Sequence, residues 1–209
     1  MPAEHGEGGG SAPPKPGHPA ARAVRRVVTG HDAAGRSVVL FDSAAPNVKG
    51  RAQGNASTLL WVTDESPADV SGRADRAARE IGVPPPRGGT IFRLAEFPPS
   101  TGGEDLLDHA TVLRDFGIGD DVAPGRPPRH PLIHRTRTID YVVVLEGEIF
   151  LLLDETEVRL AAGDVVVQQG TNHAWINRGP GRCRLAMVFV DAREPAALVA
   201  SRDVKRTSK

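Results

Sequence analysis

Two histidines and an aspartate in the second half of the chain have side chains that bind transition metal ions. His134 lies in IHRTRT, Asp140 in TIDYVVV and His173 in GTNHAWINRG. Imidazole nitrogens combined with one carboxylate can hold a divalent ion and leave coordination positions open for substrate, water or oxygen. The residue types therefore predict a metal site, with His134, Asp140 and His173 as the candidate ligands.

The spacing of these residues determines which elements must carry them. His134 and Asp140 are six positions apart, and on one straight strand their side chains would lie about 20 Å apart. A tight turn in RTRT would instead put them on neighbouring antiparallel strands, which are about 4.8 Å apart. His173 must then come from a third strand. We expect three strands to converge here, with Arg135 and Arg137 projecting from the turn into solvent or binding a carboxylate at the rim.

Two further residues could line the same site. Trp175 is two positions from His173, and side chains two apart on a strand share a face. Trp175 therefore either forms a wall of the pocket or fills the interior of the fold. His130 has the same parity as His134, but four residues of strand separate them by about 13 Å. Trp175 and His130 are candidate catalytic residues whose roles the sequence leaves open.

The composition indicates a globular protein and excludes several functional classes. The 209 residues are 39% hydrophobic, which is enough for one sizeable core. Lysine plus arginine equals aspartate plus glutamate at 26 each, so no net field favours nucleic acid or an anionic membrane. No apolar run approaches the roughly 20 residues of a membrane span, and the first residues lack the pattern of a signal peptide. We expect a cytoplasmic protein.

The single cysteine, Cys183, excludes an internal disulfide and a zinc site of the CxxC type. It lies in RCRLAMVFV, where every second residue is apolar and shares one strand face with Cys183. This pattern predicts a buried core thiol and not a nucleophile.

The first half of the chain is predicted to be a tail followed by short β elements. Residues 1–21 are rich in glycine, proline and alanine, and we expect them to be a disordered tail. RAVRRVVTG and RSVVLFD are joined by HDAAG, which predicts a hairpin. STLLWVT at 57–63 and TIFRLAEF at 90–97 predict two further strands. Between them, ADRAAREIG has helical spacing and Gly82 as a stop, which predicts one short helix. A loop then extends to about residue 128.

From residue 130 onward, each segment has the character of a strand. The runs carry their own turn signals and follow one another at the spacing of an antiparallel sandwich or barrel: IDYVVVLEGEI, FLLLDETEV, RLAAGDVVVQQG, NHAWINRGPG and RCRLAMVFVDA. The pattern predicts an all-β fold with an N-terminal extension at 22–128, a barrel core at 129–192 and a C-terminal helix or tail at 193–209. The helix is expected at 194–201.

The two stretches with candidate ligands resemble the two sequence motifs of the cupin superfamily. His134, Asp140 and Gly147 stand where the first motif has a histidine, a carboxylate and a glycine. The second motif is matched by Gly163, Asp164, Gly170, His173 and Asn177. Thr136 stands where the family has a second histidine, and Gln168 where it has a proline. The Gln168 amide could reach the site, which adds this residue to the catalytic candidates.

The resemblance implies a cupin-type antiparallel β-barrel, a jelly roll or double-stranded β-helix, with a divalent metal ion in its mouth. The ligand types do not distinguish zinc, iron, manganese and nickel. The H-x-T-x-x-x-D pattern is similar to a subgroup of single-barrel cupins encoded beside polyketide pathways. This implies secondary metabolism and a lyase that removes carbon dioxide or water from a small oxygenated acid. A non-haem Fe(II) dioxygenase and a non-catalytic small-molecule-binding barrel are the alternatives.

The expected partners are a small-molecule substrate and a second copy of the chain. Small antiparallel barrels leave strand edges exposed, and the predicted hairpin at 23–42 could cover the edge of a neighbour. We therefore expect a homodimer.

Overall fold

The computed structural model of the protein describes residues 23–50, 54–118, 128–196 and 198. The predicted tail at 1–21 lies outside these residues, as does half of the predicted helix at 194–201. Within the described residues the strands are β1 (Arg25–His31), β2 (Ser37–Ala44), β3 (Val48–Gly50), β4 (Ala56–Thr63), β5 (Thr90–Phe97), β6 (Thr138–Glu146), β7 (Glu148–Leu152), β8 (Glu157–Ala161), β9 (Val165–Gln169), β10 (Ala174–Ile176) and β11 (Cys183–Asp191). The α-helix α1 spans His109–Phe116 and follows a 3-10 turn at Glu104–Leu106.

Two antiparallel sheets face each other and enclose the core. The larger has the strand order β3-β4-β5-β11-β6-β9, and the smaller has the order β10-β7-β8. Ile91, Leu185 and Phe189 from the larger sheet pack in one buried cluster with Ile149 and Trp175 from the smaller. The alternating burial along β11 follows the alternation of its sequence. The prediction of an all-β, cupin-type fold is confirmed.

The N-terminal hairpin packs against the outer face of the larger sheet. β1 and β2 pair with each other across the predicted HDAAG turn. Arg26 is buried and donates from Nη1 to the carbonyl oxygen of Leu60 at 3.0 Å and to Asp75 at 2.8 Å. Ala45, just after the hairpin, joins Leu60 and Leu94 in a small apolar cluster. The hairpin is therefore attached to the rest of the fold by the ion pair of buried Arg26 with Asp75 and a few apolar contacts, whereas β3, β4 and β5 of the predicted extension are strands of the larger sheet.

The helix predicted at ADRAAREIG is wrong, since residues 74–82 form turns and bends. The side chain of Asn47 donates to the carbonyl oxygens of Ala77 and Arg79 at 2.8 and 2.7 Å. Those carbonyls would otherwise accept the bonds of a continuing helix. Asp75 also accepts from the N–H of Ala77 at 2.9 Å, a side-chain turn that competes with the helix. Only Ala77 is fully buried in this stretch.

The α-helix of the extension instead lies at α1, in a region predicted to be a loop. Asp108 caps its N-terminus by accepting from the N–H of Thr111 at 3.0 Å, and Gly117 ends it in the left-handed conformation. Val112 is buried, and Leu113 and Phe116 pack against the main core.

The cysteine prediction is confirmed. Cys183 is fully buried in the main core, and burial raises the pKa of its thiol to about 12. A thiol with so high a pKa is not a nucleophile at neutral pH.

No helix among the described residues is long and apolar enough to cross a membrane.

Candidate functional site

His134 and His173 lie side by side in an isolated antiparallel bridge between two extended segments. The N–H of each donates to the carbonyl oxygen of the other at 2.9 Å. Their ring centroids are 4.4 Å apart, and both residues are buried. His173 does come from a separate segment, as predicted. The expected tight turn in RTRT is wrong, because His134 pairs with His173 and not with the strand that carries Asp140.

Each of the two imidazoles is oriented by its own backbone. Nδ1 of His134 lies 2.9 Å from the carbonyl oxygen of Leu132, and Nδ1 of His173 lies 3.0 Å from that of Thr171. A carbonyl oxygen only accepts hydrogen bonds, so in the neutral rings these contacts fix the proton on Nδ1 and leave the lone pair on Nε2. This is the tautomer that a histidine needs in order to bind a metal ion through Nε2.

Asp140 joins the pair through Gln168. Asp140 on β6 and Gln168 on β9 are direct cross-strand partners. The Gln168 amide nitrogen donates to Asp140 Oδ2 at 2.7 Å and lies 3.1 Å from His173 Nε2. Asp140 is fully buried and Tyr141 is 47% exposed, as their alternation predicts. The residues His134, His173, Asp140 and Gln168, here called the polar cluster, form one connected group inside the protein.

Two threonines, one just before β6 and one at its first residue, extend the polar cluster. Thr136 and Thr138 are buried, and their hydroxyl oxygens are 2.6 Å apart. The Thr136 hydroxyl is therefore engaged with its neighbour. Thr138 also hydrogen-bonds Asp140.

Burial determines the charge state of the polar cluster. It raises the pKa of Asp140 to about 6, although the hydrogen bonds from Thr138 and Gln168 lower it. Burial also lowers the pKa of His173 well below its ordinary value, and the neighbouring His134 lowers it further, while the backbone carbonyl of Thr171 raises it. Near neutral pH, the His173 ring is uncharged and Asp140 is mostly an anion. A cation placed among these groups would stabilise both states.

The other predicted residues have varied surroundings. Trp175 is buried in the main core, with its ring edge-on to His173 at 6.1 Å, and its Nε1 has no hydrogen-bond partner within the described residues. His130 organises a turn, since its Nδ1 lies 3.2 Å from the N–H of Leu132. Arg137 is exposed as expected. The expectation that Arg135 projects into solvent is wrong: its side chain is buried and pairs with Glu194 at 2.6 Å.

Helix α1 supplies contacts that the sequence analysis missed. Phe116 packs its ring edge against His134, with centroids 4.8 Å apart. His109 at the start of the helix lies 2.7 Å, through Nδ1, from the carbonyl oxygen of Pro131. The helix thereby supports the segment that carries His134. Asp108 and Gly117, the two capping residues, were the sequence signals for this element.

Comparison with known proteins identifies the family. The cupin domain model matches residues 121–189. The chain is 36% identical over 167 residues to phomopsin biosynthesis cluster protein D of Diaporthe leptostromiformis. The aligned region covers 77% of this chain and 74% of that protein. It is 31% identical over 183 residues to a cupin-domain-containing oxidoreductase of Neurospora crassa, with coverages of 84% and 79%. The chain belongs to the cupin family.

A solved cupin superfamily protein from Desulfitobacterium hafniense is also similar, at 13% identity and a TM-score of 0.35, over 68% of this chain and 83% of that one.

The cupin motif glycine Gly147 has a clear structural role here. Its φ is +75°, and a Cβ at this position would lie 2.5 Å from the carbonyl oxygen of Arg182. Only glycine permits this corner between β6 and β7 to contact the start of β11. Asn177 closes the second motif by donating to the carbonyl oxygens of Phe97 and Gly181 at 2.8 and 2.7 Å.

Cupin barrels generally hold a metal ion, and the polar cluster has donor groups that fit one. Asp140 Oδ1 and Gln168 Oε1 are buried without a hydrogen-bond partner in the part of the chain that the structure describes, and a cation is one group that could satisfy such an oxygen. Among the same residues, no three histidine, cysteine, aspartate or glutamate side chains are grouped closely enough to hold a metal ion by themselves. His134, Asp140 and His173 therefore remain predicted ligands, and in this structure the amide of Gln168 lies between the last two.

Proposed function

We propose that this cupin is a metal-dependent enzyme that acts on a small oxygenated organic acid or a related intermediate of secondary metabolism. The observation that carries the proposal is the polar cluster, in which two oriented imidazoles and a buried carboxylate meet inside an apolar core. Two relatives, one from Diaporthe leptostromiformis and one from Aspergillus oryzae, are named as proteins of biosynthesis clusters, which supports the metabolic setting.

His134, His173 and Asp140 would hold the ion. When bound, a divalent ion supplies a Lewis acid that polarises a carbonyl or carboxylate oxygen and stabilises the negative charge formed as carbon dioxide or water leaves. The backbone carbonyls behind each Nδ1 keep the imidazoles in the orientation required. Trp175 offers a buried N–H donor next to His173, which can bind an oxygen atom of the substrate. The surrounding core excludes water and strengthens these interactions.

The first candidate reaction is decarboxylation or dehydration. Neither reaction needs an oxidant. In decarboxylation the electron pair of the broken C–C bond stays on carbon and is neutralised by a proton. In dehydration the C–O electron pair leaves with the hydroxyl group, which takes up a proton, while the neighbouring carbon loses one. The alternative, oxidation with dioxygen, is favoured by the names of the relatives from Neurospora crassa, Aspergillus ruber and Hypocrea virens, each called a cupin-domain-containing oxidoreductase. Two histidines and one carboxylate are also the donor set of non-haem Fe(II) oxygenases.

One experiment tests the proposal and separates these reactions. The purified protein is analysed for its metal content, reloaded with the metal found, and assayed on a panel of β-keto and β-hydroxy acids under air and under nitrogen. A lyase turns over equally under both gases, whereas an oxygenase stops under nitrogen. His173→Ala should lose both metal and turnover. If the wild type takes up no metal, or His173→Ala keeps wild-type turnover, the proposal fails, and tight ligand binding without turnover would identify a binding barrel.

We also propose that the protein is a homodimer. The outer face of the larger sheet carries an apolar row that crosses four strands, formed by cross-strand partners Phe92, Val188, Tyr141 and Val167.

A further inference from the structure

Gln168 occupies the centre of the polar cluster and is not one of the three predicted ligands. It is buried, and its position on β9 is opposite that of Asp140 on β6. Its amide nitrogen is within hydrogen-bond distance of two of the predicted ligands, Asp140 and His173. Because the contact with Asp140 follows from strand register, the amide is held at this place by the sheet itself.

The two ends of this amide have very different surroundings. The nitrogen lies between two acceptors, Asp140 Oδ2 at 2.7 Å and His173 Nε2 at 3.1 Å. The oxygen Oε1 is buried and has no donor within the described residues, and the same is true of Asp140 Oδ1. A buried amide oxygen without a partner is unfavourable. Half a turn about the terminal bond exchanges the two atoms and brings the oxygen to the side of Asp140 and His173.

We propose that Gln168 is the fourth ligand of the metal ion and binds it through Oε1. The inference rests on the proposed function, since it requires that His134, His173 and Asp140 hold a metal. In the absence of a cation, the NH₂ group of Gln168 bridges two acceptors that would otherwise face each other. With a cation present, the same amide turns its oxygen inward, and the cluster becomes a set of two nitrogen and two oxygen donors.

Thr136 is not the group that fills this position. Its hydroxyl is hydrogen-bonded to that of Thr138 at 2.6 Å, and a neutral hydroxyl is a weaker ligand than an amide or carboxylate oxygen. Asp140, by contrast, has one oxygen held by Gln168 and one without a partner. The donor that is both buried and in contact with the predicted ligands is the amide of Gln168.

The test compares variants in which residue 168 keeps or loses its oxygen. Gln168→Glu keeps a side-chain oxygen at the same distance and loses the N–H donor, while Gln168→Met has a similar length and neither group. Metal-free proteins are titrated with cobalt(II) in competition with a chelating dye, and the visible absorption of bound cobalt reports its coordination. Thermal melting of the metal-free variants shows whether each is folded.

The expected result is that Gln168→Glu binds cobalt at least as tightly as the wild type. Gln168→Met should lose at least about tenfold in affinity, the lower end of the loss found when supporting groups of a metal site are removed. Gln168→Asn, whose amide is one methylene shorter, should resemble Gln168→Met and serves in its place if that variant does not fold. The cobalt spectrum should be the same for the wild type and Gln168→Glu, and different for the other two.

Two results would overturn the inference while leaving the proposed function in place. If Gln168→Glu loses as much affinity as Gln168→Met, the amide acts as a donor to Asp140 and not as a ligand. If Gln168→Met binds cobalt as the wild type does, residue 168 does not contribute to the site. Failure of the wild type itself to bind cobalt would instead overturn the proposed function, and the inference with it.

Discussion

His134 and His173 exchange both of their backbone hydrogen bonds, at 2.9 Å each, and their rings lie 4.4 Å apart. The backbone bridge fixes the distance between the two Cα atoms, and the contacts of each Nδ1 with a carbonyl two residues earlier fix the rings. The two Nε2 atoms thus lie in a buried region together with one carboxylate, that of Asp140. This arrangement supports the proposed cation site.

The first prediction is that a divalent ion stabilises the folded protein through this pair. A ligand that binds only the folded state at about 100 times its Kd adds about 2.7 kcal/mol to the free energy of unfolding. Thermal melts with and without zinc, manganese, iron(II) and nickel measure this increase. His173→Ala should abolish the shift, whereas His31→Ala, on the exposed hairpin, should not change it. An equal shift in wild type and His173→Ala would place the bound metal elsewhere.

The second prediction concerns the corner at Gly147. Alanine there must adopt a φ of +75° and bring its Cβ to 2.5 Å from the carbonyl oxygen of Arg182. Gly163 also has a positive φ, +97°, but a Cβ would meet nothing within 4 Å. Gly163→Ala should therefore cost about 1 kcal/mol of backbone strain, and Gly147→Ala about 3 kcal/mol or more. Urea unfolding of the two variants measures both losses, and equal losses would show that the close approach is unimportant.

The sequence predicted the β elements well because their signal is local. The alternation along RCRLAMVFV gives β11 with the expected buried face, and TIFRLAEF forms β5 as predicted, although residues 93–96 are buried on both faces of that strand. The predicted helix at 74–82 failed because its competitor is distant in sequence: Asn47 takes the carbonyls of Ala77 and Arg79. No pattern inside ADRAAREIG contains that information.

In the candidate site, too, local sequence signals could be read, whereas contacts with residues distant in the sequence could not. The types and parity of His134, Asp140 and His173 could be predicted from the sequence, but the partner of each depends on strand register. Asp140 meets Gln168 because β6 pairs with β9, and His134 meets His173 through an isolated bridge. The expectation that Arg135 faces solvent failed for a related reason, since Glu194, 59 residues later, binds it in the interior.

The third prediction is a pH dependence caused by the ion pair of Arg26 and Asp75. The hydrogen bond from Arg26 lowers the pKa of Asp75 below 3.8. A carboxyl whose pKa is lower in the folded state contributes stability above its unfolded pKa and loses it as the pH falls through the folded value. Because Arg26 is buried, Asp75→Asn should cost about 3 kcal/mol at pH 7, and the difference from wild type should shrink as the pH falls below 3.8.

Urea unfolding of both proteins at pH 7 and at pH 3 measures this change. Asp42→Asn is the control, because Asp42 pairs with Arg25 on the same hairpin while both side chains are exposed, and exposed pairs contribute little. Equal effects of the two substitutions at pH 7, or a difference for Asp75→Asn that persists unchanged at pH 3, would contradict the prediction.

The last prediction tests the homodimer through the outer face of the larger sheet. Tyr141 and Val167 are direct cross-strand neighbours in the apolar row and are 47% and 56% exposed, so a partner could bury both. Light scattering at micromolar concentration should give twice the mass of the chain. Val167→Glu should convert the protein to a monomer, because an unpaired carboxylate is costly to bury. Val158→Glu, at a valine 44% exposed on the smaller sheet, should leave the dimer intact. A monomeric wild type, or dissociation caused equally by both variants, would rule out this face as the interface.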